Sequence, residues 1–158
     1  MAGYKKILLV EDNPKDLELT LLALARSQLA NEVVTARDGV EAIDWLFRIN
    51  DHASRERDDP AVVLLDLKLP KKDGLEVLAE IKGSDQTKHI PVVMLTASRE
   101  EADLVASYNL GVNAFVVKPV DFKEFFDAIR KLGMFWAVLN EPYPSTIPDT
   151  GPMKVTEA

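Results

Sequence analysis

A doubly wound α/β fold, with a five-stranded parallel sheet and five helices, is what this sequence predicts, and two observations predict it. Five short apolar runs rich in Val, Ile and Leu recur along the chain, and each is followed by a segment whose apolar residues return at helical spacing. The runs are continuous rather than alternating, as strands covered by helices on both faces must be.

The elements follow in order. Lys6–Val10 reads as the first strand, and Asn13 with Pro14 opens a helix that sets Leu17, Leu21 and Leu24 on one face. Glu32–Ala36 is the second strand, and Asp38 caps the helix after it. The polar stretch NDHASRERDDP, Asn50–Pro60, reads as a solvated loop. Ala61–Leu65 is the third strand, followed by a helix starting at Asp73 with Glu76 three residues on. Pro91–Leu95 leads to a helix starting at Ser98 with Glu101, and Ala114–Val117 to one starting at Asp121 with Glu124. In that last helix Phe122, Phe125, Phe126, Ile129, Leu132 and Trp136 share a face. The sequence thus divides into a domain over residues 1–139 and an extension over 140–158 that is dense in Pro, Ser and Thr and expected to be mostly irregular.

Composition narrows the function. The 158 residues suit one ordinary domain, and the absence of cysteine excludes disulfides, thiolate metal sites and cysteine nucleophiles. A formal charge of −7 argues against direct nucleic-acid binding, which rewards clustered Lys and Arg. No apolar run approaches the length of a membrane span, and the start of the chain lacks the pattern of a secretory signal, so a cytoplasmic location and no membrane partner are expected.

The residues that close the strands carry the chemistry. Glu11 and Asp12 follow the first strand, Asp66 the third, Thr96 and Ala97 the fourth, Lys118 the fifth, and parallel strands bring all of these to one edge. Carboxylates gathered in one pocket repel one another unless a cation intervenes, and an oxygen-only set suits Mg²⁺. Asp66, on the central strand, is the candidate nucleophile for a phosphoryl group, with Lys118 pairing to its oxygens. The Thr96 hydroxyl and the Ala97 backbone N–H would supply further hydrogen bonds. Taken singly, each residue has a structural explanation as a cap, turn or surface group; the right type at four strand ends is what argues for a site. His52 and His89 belong to no spaced ligand set and read as surface residues.

The segments LLVEDNP, VVLLDLKLPKKDGLEVL, VVMLTAS and FVVKP, in this order between residue 6 and about residue 138, strongly resemble the signature segments of response-regulator receiver domains. The resemblance implies the flavodoxin-like strand order 2-1-3-4-5 and a Mg²⁺ or Mn²⁺ site made by Glu11, Asp12, Asp66 and the backbone carbonyl of Lys68. It also implies Asp66 as the residue phosphorylated by a sensor histidine kinase, Thr96 and Phe115 as the switch pair, and a cis Lys118–Pro119 bond. Lys68 and Ser98 take the places that tune the lifetime of the phosphorylated form. The insertion and the FW-containing end look similar to stand-alone regulators paired with phytochrome-type kinases, which points to a bacteriophytochrome as partner. Phe135, Trp136, Val138, Leu139 and Tyr143 exceed what the sheet needs for cover, so a homodimer through the last helix, last strand and C-terminal extension is expected. A haloacid-dehalogenase-like phosphatase fits less well, because Lys68 stands where such an enzyme needs a second acid. A glycine-rich phosphate loop, needed for a nucleotide-binding module, is absent from every strand end.

Overall fold

The computed structural model describes residues 5–26, 31–131 and 153–158. β1 (Ile7–Val10), β2 (Val33–Ala36), β3 (Val62–Asp66), β4 (Val92–Thr96) and β5 (Ala114–Val117) form a parallel sheet in the order 2-1-3-4-5. The helices are α1 (Pro14–Arg26), α2 (Gly39–Phe47), α3 (Gly74–Gly83), α4 (Arg99–Ser107) and α5 (Phe122–Lys131), with a short 3₁₀ turn at Asn50–His52.

The strands read as unbroken apolar runs because both of their faces are covered. Ile7, Leu9, Val62, Leu64, Val93 and Leu95 point to a core shared with Ala23 and Leu24 of α1 and Phe125 and Ala128 of α5. Their neighbours Leu8, Val10, Val63, Leu65, Val92 and Met94 enter a second core closed by α2, α3 and Val105 of α4. Leu17 and Leu21 pack against the first core at the helical spacing the sequence displays. All five helices start on a side-chain cap: the side chains of Asn13, Asp38, Asp73, Ser98 and Asp121 accept hydrogen bonds from backbone N–H groups two or three residues on. The Lys118–Pro119 bond is cis.

Two features differ from the sequence expectation. A sixth strand, β6 (Val155–Glu157), pairs parallel to β2 on what would be an open edge. Val33 donates to the Lys154 carbonyl at 2.8 Å and Ala158 to the Thr35 carbonyl at 2.7 Å, while Arg37 pairs with Glu157 at 2.8 Å. The extension is therefore partly regular; three residues are too few to leave a periodic signature, and the unpaired backbone of β2 supplies the order. The Asn50–Pro60 insertion is mostly exposed but anchored: the Arg55 guanidinium lies 3.9 Å from the Trp45 ring centroid and donates to the Trp45 carbonyl at 2.6 Å. Leu132, Phe135, Trp136, Val138, Leu139, Tyr143 and the 139/140 boundary lie outside the described residues.

The loop from β3 to α3 is wedged by two glycines. The Gly74 N–H donates to the Leu67 carbonyl at 2.9 Å, and a methyl group there would lie 2.4 Å from the Asp66 carbonyl oxygen. At Gly39 a methyl would lie 1.9 Å from the Lys72 carbonyl oxygen. Gly74→Ala should therefore destabilise the fold by about 1–3 kcal/mol in urea unfolding, through forced backbone displacement. Arg37→Ala, which removes only an exposed ion pair, should cost less than about 1 kcal/mol in the same measurement.

Candidate functional site

Sheet register sets the site. Val10 stands beside Leu65, Asp66 beside Leu95 and Thr96 beside Val117, so the ends of β1, β3, β4 and β5 finish level. The ladder runs one step past the strands: Glu11 donates to the Ala36 carbonyl at 2.9 Å, Leu67 to Leu95 at 3.1 Å and Lys118 to Thr96 at 2.7 Å. Side chains beyond the last apolar residue are thereby held by main-chain bonds rather than left on free loops.

Glu11, Asp12 and Asp66 come together there, each offering a carboxylate oxygen within 4.8 Å of the others. Glu11 is 1% exposed and Asp66 4%, whereas Asp12 faces solvent. The Lys118 ammonium reaches Asp66 Oδ1 at 3.3 Å and Glu11 Oε1 at 3.2 Å. Lys68 donates its backbone N–H to Asp66 Oδ1 at 3.4 Å, and Asn13 donates its own to Glu11 Oε2 at 3.2 Å. An open groove of about 540 Å³, bordered by Asp12, Lys68, Leu69 and Tyr108 among others, gives access from solvent.

Thr96, wholly buried, sends its hydroxyl to the Ser98 carbonyl at 3.2 Å rather than toward Asp66. The Ala97 N–H donates to Glu101 Oε2 at 3.2 Å. Ser98 caps α4 through the Glu101 N–H at 3.2 Å. Phe115 is partly buried against the second core. The Lys68 side chain is 81% exposed. His89 is less isolated than the sequence suggests, since its Nε2 lies 3.2 Å from Asp59 Oδ2. His52 sits in the 3₁₀ turn and is not a member of the acidic cluster.

Two residues beside the site are not assigned to it from the sequence, where Glu101 reads only as the acid paired with the Ser98 helix start. Asp16, on the first turn of α1, places Oδ2 2.9 Å from Lys118 Nζ, and Glu101 covers the Ala97 amide. Each occupies the third position after a cap residue, where an acid has an ordinary helix-start explanation, and that concealed them.

The electrostatics are those of an anionic pocket short of positive charge. Burial comes first, then the hydrogen bond and negative charge of Asp66, in pushing the Glu11 carboxyl from the ordinary 4.5 up to about 8. Burial disfavours the Lys118 ammonium, but the hydrogen bond to Asp16 and the charges of Asp66 and Glu11 outweigh it and raise its pKa above the usual lysine value. An oxygen-only donor set with more carboxylates than its lysine can neutralise fits a small hard divalent cation. In cation-free protein the folded chain keeps a proton on Glu11 that the unfolded chain releases above about 4.5. That contribution to stability is complete below this pH and is lost as the pH rises toward about 8. Urea midpoints in chelator should accordingly fall between about pH 5 and about pH 8, and Glu11→Gln should flatten the decline.

Comparison with known proteins is in keeping with this geometry. The family model described as the response regulator receiver domain matches residues 7–130. Response regulator Rcp1 of Synechocystis sp. is 43% identical over 132 residues, 84% of this chain and 88% of that protein. The solved Mn²⁺-bound form of Rcp1 superposes with a TM-score of 0.68 at 41% identity, over 88% of this chain and 97% of that one. The bacteriophytochrome response regulator AtBRR is 68% identical with a TM-score of 0.82, covering 89% of this chain and 100% of its own. The phosphorylated cyanobacterial phytochrome response regulator RcpA is 46% identical with a TM-score of 0.68, over 85% of this chain and 94% of that chain.

Proposed function

This chain belongs to the response regulator receiver domain family and is a phosphoryl acceptor of two-component signalling, and on that premise we propose that Asp66 is the accepting residue. The observation that carries the assignment is the Lys118 ammonium 3.3 Å from Asp66 Oδ1, in a pocket where Glu11 and Asp12 supply the further carboxylates. An Asp66 oxygen attacks phosphorus, the bond from phosphorus to the donor's histidine nitrogen breaks, and the imidazole leaves with the electron pair and takes up a proton. Lys118 neutralises charge on the transferred group.

Glu11, Asp12, Asp66 and the Lys68 carbonyl would hold Mg²⁺, or Mn²⁺ as in the solved form of Rcp1. Such an ion would offset the negative charge that otherwise keeps carboxylate and phosphoryl apart. Glu11 must give up its proton to serve, so cation affinity should rise with pH toward about 8. Thr96 then exchanges the Ser98 carbonyl for a phosphoryl oxygen, and Phe115, half-buried beside a groove between α4 and α5, follows it inward.

The likeness to AtBRR and RcpA supports a phytochrome-type sensor histidine kinase as donor, acting in the cytoplasm. Among the described residues no helix is long and apolar enough to cross a membrane. Signalling rather than turnover is the output, since Lys68 stands where an acid–base carboxylate would be needed for repeated hydrolysis. Residues 1–139 are assigned to the receiver and 140–158 to an extension, and self-association is assigned to β5 and α5, because the described end of the extension, β6, lies on the opposite edge of the sheet beside β2.

Incubation with acetyl phosphate and Mg²⁺ should add one phosphoryl group to the native chain by intact mass and none to Asp66→Asn. Modification of Asp66→Asn to the same extent would overturn the assignment. Lys118→Ala should leave Mg²⁺ binding in place while slowing phosphorylation by about a hundredfold, the scale expected when a charged group acting on the transferred phosphoryl is lost.

A further inference from the structure

Of the donors assigned to the phosphoryl group, the two in the turn between β4 and α4, Thr96 and Ala97, are already engaged within that turn. The Thr96 hydroxyl donates to the Ser98 carbonyl, and the Ala97 N–H to Glu101 Oε2, each at 3.2 Å. An acid in the first turn of a helix ordinarily folds back to the N–H of the cap residue itself. Glu101 reaches one residue further, past the cap Ser98, to the Ala97 amide, which the sequence assigns to the phosphoryl group. Its other oxygen, Oε1, stands 3.9 Å from Lys68 Nζ, and Lys68 in turn aims its backbone N–H at Asp66 Oδ1. The carboxylate therefore spans the loop that follows Asp66 and the loop that follows Thr96. It offers two anionic oxygens to an N–H and an ammonium, which is the chemistry a phosphoryl group would offer in the same place.

We propose that Glu101 is a positioning residue that acts as an internal stand-in for the phosphoryl group: its carboxylate holds the Ala97 amide in the resting protein and must leave when Asp66 is phosphorylated. The inference rests on the Asp66 reading and deepens it. No covalent bond changes at Glu101; one charge-assisted hydrogen bond is exchanged for another. The exchange has a direction, because an incoming phosphoryl dianion meets a carboxylate of like charge at the donor it needs. Glu101 thereby makes the phosphorylated state harder to enter and easier to leave. Lys68, exposed and paired to it, is released toward solvent and the phosphoryl group when Glu101 withdraws.

The test compares native protein with Glu101→Ala and Glu101→Gln, using acetyl phosphate with Mg²⁺ as donor and the Ala97 amide resonance in ¹⁵N-labelled protein as reporter. Glu101→Ala should be phosphorylated about fivefold faster, the rate equivalent of one net hydrogen bond no longer to be broken. Its phosphorylated form should last longer, and Glu101→Gln, which keeps an acceptor but not the charge, should fall between the two. The Ala97 resonance should differ between native and Glu101→Ala before phosphorylation and coincide after it, which a mere helix-capping role would not produce. Unchanged or slower phosphorylation of Glu101→Ala, or an Ala97 difference that persists equally in both states, would overturn the proposal. Native protein that takes up no phosphoryl group would instead fell the Asp66 assignment, and this inference with it.

Discussion

The structure depends on one electrostatic constraint: a partly buried lysine serving more carboxylates than it can neutralise. Lys118 touches Glu11, Asp16 and Asp66, two of which are almost wholly withdrawn from water. Burying unpaired negative charge is costly, so the chain meets the demand by holding a proton on Glu11 and leaving Asp12 at the solvent edge. Neither device is a permanent solution. A pocket built this way suits a divalent cation, which would offset its negative charge and, on the function proposed for Asp66, admit a further anion.

The fold keeps that arrangement rigid. Four strands end level because their register is fixed by two hydrophobic cores, one on each face, and a slip in either would move every loop-facing side chain. The loop after Asp66 is pinned from below by Gly74 and from the side by Gly39, where backbone approaches too closely for any side chain. The turn after Thr96 is held differently, by backbone N–H groups donating to the side chains of Ser98 and Glu101. Polar contacts of that kind can be traded for others at modest cost, whereas steric contacts cannot, so the two sides of the pocket differ in their capacity to move.

Much of this was legible in the residues alone. The strands fall within one residue of their apolar runs, and the five caps lie where Asn, Asp and Ser precede helical spacing, because both signals are local and repeat many times. The acidic cluster and Lys118 were legible for another reason: parallel topology converts separate strand ends into neighbours. Asp16 and Glu101 were not, since their local role at a helix start accounts for them fully until three-dimensional contact adds a second partner. Arg55 lay hidden in a polar stretch, for its stacking on Trp45 depends on how the insertion turns back. The last strand was missed because its order is supplied by the edge it joins.

That last strand has a practical consequence. β2 would otherwise present an open row of main-chain donors and acceptors, and it is the chain's own residues Lys154–Ala158 that seal it. Trimming these residues to obtain a tidier receiver would uncover a sticky margin on which two shortened molecules could zip together. Association seen in such a truncated sample would then report the injury rather than the signal, and oligomeric state is best measured with the terminal residues intact.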